Sequence, residues 1–169
     1  MSDLIKNRVA DSGLITIDLA NYLPDEFPLL FDVSAFLYKG LILKEKEYRQ
    51  VLSETDWSLY EGKEVLIYCS TDAIIPVWAY MLAAANLGHV SSTLYFMKPE
   101  QWRESYLLKN INKININEFK DARVVLKGCG EEKIPEAAYF ELTKRLLPVV
   151  KSILYGEPCS TVPVYKKKI

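Results

Sequence analysis

The sequence predicts an α/β fold: one domain, with a mixed or partly parallel sheet and helices on both faces. Two observations carry that prediction. Short apolar runs of strand length alternate with longer stretches of helical pattern, the arrangement that builds parallel strands joined by right-handed crossovers. One such unit is also used twice. Residues 64–88 read as a buried strand, Cys69, a loop and a helix begun near Pro76; residues 123–146 read as a strand, Cys129, a loop and a helix begun near Pro135. In both copies an alanine and then a tyrosine follow the proline (Ala79, Tyr80; Ala138, Tyr139). At 169 residues, with no linker or low-complexity segment, one domain is expected, its core at about residues 12–156 and a C-terminal tail at 157–169.

The elements follow in order. Residues 13–19 alternate, Ile15, Ile17 and Leu19 on one face and Thr16 and Asp18 on the other, which predicts a half-buried strand at a sheet edge. Residues 21–26 read as a loop. Asp32 is a suitable N-cap for a short helix over 33–38 that Gly40 stops. In the charged segment 44–54, Tyr48, Val51 and Leu52 make one apolar helical face. Residues 56–62 connect to a strand whose Val65, Leu66, Ile67 and Tyr68 are continuously apolar, as in a strand covered on both faces. The helix over 77–87 is apolar or small at nearly every position, so it is expected to be largely buried, with Gly88 as its cap. A strand over 93–97 precedes a helix that Pro99 begins and that ends near Leu108. The asparagine-rich segment 110–117 fits no element. A strand at 124–126 leads to the last helix, expected from Glu136 to Tyr155, kinked at Pro148 and ended by Gly156.

Composition excludes several function classes. The formal charge of −1 gives no global field toward nucleic acid or anionic lipid, and Lys166, Lys167 and Lys168 read as a solvated chain end. No basic–aromatic interleaving suggests RNA or single-stranded DNA. The first residues hold no apolar segment of signal-peptide length, and the apolar run 73–85 is shorter than the roughly 20 residues of a membrane span. A soluble, cytoplasmic protein is expected, with neither nucleic acid nor membrane as partner. Phosphate-binding glycine motifs and zinc-protease motifs are absent, and His89 is the one histidine. It follows Gly88 and reads as an exposed loop residue.

Three cysteines, Cys69, Cys129 and Cys159, are then the candidates for chemistry. An odd count in a reducing compartment argues against a disulfide framework. Functional groups gather where parallel strands end and helices begin, and Cys69 and Cys129 fall there. A thiol near a helix N-terminus gains thiolate character, which favours metal binding or nucleophilicity. If the two repeated units lie side by side in one sheet, both thiols point into one crevice. Cys159 follows the last helix, which would return the chain to the other end of the sheet. The spacings are too long for a local C-x-x-C site, so only the fold could bring the thiols together. Against this stands the ordinary role of buried cysteine as a small apolar side chain. Asp72, Glu131 and Glu157 are candidate further ligands, with helix capping the commoner role for Asp72.

Two resemblances add to this. The segments 7–10, 12–18, 40–46, 69–81, 121–125, 127–129 and 155–163, which include all three cysteines, are similar to a family found in Bacteroidetes, the domain-of-unknown-function family numbered twenty-four eighty. That resemblance covers nearly the whole chain. It implies no defined activity, but an association with iron–sulfur cluster assembly, hence iron–sulfur assembly proteins as candidate partners and zinc or an iron–sulfur cluster as the candidate cofactor. Residues 66–96, a strand ending at Cys69, a loop, a helix and another strand, resemble the layout of rhodanese-like sulfurtransferases. This implies Cys69 as nucleophile and Cys129 or Cys159 as resolving thiol. The loop 70–75 departs from that pattern, having no glycine or arginine and carrying Asp72. Three functions are therefore expected: an accessory factor with a three-cysteine thiolate site, a thiol enzyme, or an interaction module whose cysteines only pack.

Overall fold

In the computed structural model, residues 13–127, 133–157 and 160–168 are described. Their strands are β1 (Leu14–Asp18), β2 (Leu29–Asp32), β3 (Glu64–Tyr68), β4 (Thr93–Phe96), β5 (Arg123–Lys127), β6 (Ser152–Glu157) and β7 (Ser160–Lys166). Their α-helices are α1 (Glu45–Glu54), α2 (Val77–Leu87), α3 (Pro99–Asn112) and α4 (Glu136–Leu146). The class is α/β, as expected, with parallel pairing throughout except for the antiparallel pair β6–β7. The strands form two sheets, however, ordered β1-β5-β6-β7 and β2-β3-β4.

Each sheet belongs to its own compact unit. The contiguous unit is Asp25–Trp102; the split unit joins Met1–Pro24 to Arg103–Ile169. In the contiguous unit Val65, Leu66 and Ile67 of the central strand are buried, with Tyr48 and Leu52 of α1 and Ala79, Ala83 and Leu87 of α2. In the split unit Val124, Val125 and Leu126 of the central strand are buried, with Leu107 and Ile111 of α3 and Ala138, Leu142 and Leu146 of α4. Removing these side chains from water is the main stabilising term of each unit.

These two sets match one for one under a constant shift of 59 positions, from Tyr48 and Leu107 through to Leu87 and Leu146. Polar details obey the same shift. Gly62 and Asp121 both take positive φ, and each donates its N–H at 2.8 Å, to the carbonyls of Val90 and Val149 respectively. Pro76 and Pro135 precede their helices with nearly the same backbone, φ −60 and ψ 139 against φ −59 and ψ 140. Tyr80 meets Phe96 edge-on at 4.8 Å, and Tyr139 meets Tyr155 likewise at 5.3 Å. The repeat read over 64–88 and 123–146 is thus part of a duplicated unit. In the second copy β1, from the start of the chain, occupies the place that β2 has in the first, and Asp18 and Asp32 each cap a short 3-10 turn at its end.

Several expectations are corrected. The repeated strands β3 and β5 are not neighbours, since each is central to its own sheet. The last helix stops at Leu146, and residues 152–155, expected to be helical, belong to β6, Ser152–Glu157, parallel to β5. Pro148 ends the helix rather than kinking it, having no N–H to continue the ladder. Gly156 lies inside β6 at φ 117, a conformation that a side chain would strain. The expected tail includes β7, whose Pro163 is tolerated because β7 is an edge strand. β2 and the 3-10 turn Ile116–Phe119 are further elements. Finally, α2 is not largely buried: Val77 and Met81 are 74% and 65% exposed.

Candidate functional site

The C-terminal ends of parallel strands collect the loops of each unit, and the contiguous unit shows a formed site there. β2 ends at Asp32, whose Cα partner on β3 is Tyr68, and Cys69 follows Tyr68 directly. The Asp32 carboxylate accepts the backbone N–H of Ser34 at 2.9 Å and of Ser70 at 3.1 Å, while the Ser34 and Ser70 hydroxyls meet at 2.9 Å. Partial burial pushes the Asp32 carboxyl up, but hydrogen bonds from Ser70 and Ser34 outweigh it and hold the group below the usual carboxylate range.

Cys69 is 9% exposed. Its thiol donates toward the Thr71 carbonyl at 3.5 Å and lies 3.4 Å from the Thr71 hydroxyl. Beside it opens a cavity of about 280 Å³ lined by Tyr68, Cys69, Thr71, Tyr80, Phe96 and Lys98 among others. A second cavity, about 390 Å³, lies between α2 and β4 and shares Ile67, Tyr80 and Phe96 with the first; Val77, Met81 and Leu94 make it apolar. The Tyr80 phenol is pushed up by burial, with the charges of Cys69 and Asp32 adding to it. The Tyr68 phenol is pushed up by burial and by the charges of Asp32, Glu100 and Cys69. Both phenols are therefore proton donors rather than anions in this cleft.

Matching positions in the split unit carry different chemistry. Lys127 replaces Tyr68 and pairs with Asp18 at 3.3 Å and Glu157 at 3.8 Å. These are the last residues of β5, β1 and β6, so one ammonium joins three adjacent strand ends.

The family model for proteins of unknown function DUF2480 matches residues 3–167. The chain belongs to the DUF2480 family. No curated protein and no solved structure matches it.

Of the candidates in this DUF2480 chain, Cys69 has the place expected for it, at a strand end beside a cavity. Cys129, Cys159 and Glu131 lie outside the described residues. In sequence, the shift of 59 aligns Cys129 with Ser70 and not with Cys69. Asp72 is exposed and caps nothing, because α2 begins only at Val77, after Pro76. Glu157 is the Lys127 partner, and His89 is exposed in the turn after α2. Among the described residues no group of three His, Cys, Asp or Glu side chains is arranged to hold a metal ion. No described helix is long and apolar enough to cross a membrane. Sequence reading missed Asp32 as the organiser of the Cys69 loop, because its one visible signal was a helix cap.

Proposed function

We propose that this chain is an accessory protein of iron–sulfur or metal metabolism, which holds zinc or an iron–sulfur cluster on the thiolates of Cys129 and Cys159. The observation that carries this reading is the course of the two strands those cysteines follow. β5 and β6 are hydrogen-bonded neighbours running in the same direction, and their last residues, Lys127 and Glu157, pair at 3.8 Å. Each cysteine stands two residues further along the sequence. Both cysteines are therefore separated from these paired strand ends by only two residues of sequence.

Thiolate donors suit zinc and iron–sulfur clusters. Two of them leave coordination positions free for a donor or an iron–sulfur assembly protein. Cys69 is not counted with them, because its thiol is already engaged with Thr71. Anaerobic purification followed by metal and sulfide analysis tests the reading. Wild type and Cys69→Ser should retain metal, whereas Cys129→Ser and Cys159→Ser should each lose at least about tenfold in occupancy or affinity. A metal-free wild type that reconstitution leaves unchanged contradicts it.

A second reading, a rhodanese-like thiol enzyme with Cys69 as nucleophile, is favoured by the cavity beside that thiol. It needs loop N–H groups to hold an anion. Those of Ser70 and Ala73 are already directed at Asp32 and Thr71. This reading ranks below the first. It predicts that Cys69 is alkylated ahead of the other two cysteines near neutral pH.

A further inference from the structure

The shift of 59 that relates the two units also shows where their chemistry parts. Every residue lining the cavity beside Cys69, and the one between α2 and β4, belongs to the contiguous unit. At the matching positions of the split unit, Glu136 and Thr143 stand for Val77 and Ala84, and Lys127 and Glu157 stand for Tyr68 and Lys98. There Lys127 pairs with Glu157 and with Asp18, so the charges satisfy one another. In the contiguous unit Tyr68 takes the place of that lysine, and the Asp32 carboxylate is taken up by the amides of Ser34 and Ser70. Lys98 lines the cavity beside Cys69 and has no carboxylate partner among the described residues.

The two cavities share Ile67, Tyr80 and Phe96, so they form one cleft with two unlike ends. The α2–β4 end, about 390 Å³, is lined by apolar and aromatic side chains, Val77, Met81 and Leu94 among them. The other end, about 280 Å³, holds Lys98, Gln101, Thr71 and the phenol-bearing Tyr68 and Tyr80. Helix α3 starts at Pro99, between Lys98 and Gln101, and brings the positive end of its dipole there. Glu100 of the same turn is exposed and does not line the cleft. Apolar walls with a few convergent polar groups, in a volume of about 300–1,000 Å³, characterise small-molecule pockets. We propose that this cleft binds a small carboxylic acid with an apolar chain, the chain between α2 and β4 and the carboxylate beside Lys98 and the start of α3. The Lys98 ammonium supplies the countercharge, and the Tyr68 and Tyr80 hydroxyls supply donors to the carboxylate oxygens. The site uses no metal and neither Cys129 nor Cys159, so it stands apart from the thiolate reading.

Decanoate is the probe, titrated calorimetrically into the full chain. One molecule should bind per chain, with the negative heat-capacity change of apolar burial. Met81 lines the apolar end and Met97 the polar end, so the methyl carbon signals of both should move together on saturation. Val77→Glu and Lys98→Glu install the residues of the split unit at exposed positions. Each should weaken decanoate about tenfold or more, with unchanged circular dichroism. Decanol, which lacks the carboxylate, should bind wild type and Lys98→Glu alike. Phe140→Glu, at the α4 position that matches Met81, should leave decanoate binding unchanged. A wild type that takes up no decanoate overturns the proposal. So does binding that either cleft variant leaves intact, or a Lys98→Glu loss that decanol shows equally.

Discussion

Asp32 shows how one side chain can fix a functional loop. Its carboxylate takes the amides of Ser34 and Ser70, which ties the turn after β2 to the residue that follows Cys69. Because the folded state holds this carboxyl below its ordinary value of 3.8, the ionised form contributes stability in full above that pH. The contribution is lost as pH falls through the lower, folded-state value. Asp32→Asn should therefore be less stable than wild type by about 1 kcal/mol at pH 7, and the gap should narrow as pH falls below about 4. Urea unfolding of both proteins at pH 7 and pH 3 measures this; a gap that stays constant would mean that the charge plays no part. The capping role of Asp32 could be read from its position before a short apolar turn. Its bond to Ser70 could not, because 38 residues separate the two.

At the scale of elements, β7 matters more than its sequence suggests. Residues 160–166 mix Ser, Thr, Val, Pro and Lys with little alternation, and they resemble a solvated end. They nevertheless pair along the whole of β6 and bring Tyr165 onto the core. Removing residues 158–169 should cost about 3 kcal/mol or more, from one aromatic side chain and several strand hydrogen bonds. Thermal unfolding should show a clear fall in midpoint, whereas a dispensable tail would leave it unchanged. The neighbouring error has a related cause. Leu146, Val149 and Ile153 fall at helical spacing, so the sequence pattern of α4 continues into β6 although the helix does not. Pro148 was the better guide. β2 escaped notice because its Leu29, Leu30 and Phe31 show no alternation and Pro28 stands just before them. By contrast β3, β5, α1 and the start of α2 were legible, since each combines a clear apolar period with a proline, glycine or acidic boundary.

Over the whole molecule, the repeat was legible and its arrangement was not. Matching apolar positions in 64–88 and 123–146 reveal two similar units, but strand order depends on partners from elsewhere in the chain. β1 pairs with β5 across more than a hundred residues, and β2 pairs with β3. That assignment gives each repeat a sheet of its own, with Cys69 in one unit and Cys129 and Cys159 following strands of the other. The proposal rests on two of the three expected thiols, while Cys69 lines a cavity of its own unit. Differential alkylation with mass spectrometry, on metal-loaded protein before and after chelation, tests that division most directly. Cys129 and Cys159 should be protected together and exposed together on chelation, with the Cys69 labelling rate unchanged. Three cysteines that change in step, or none that responds, would contradict it.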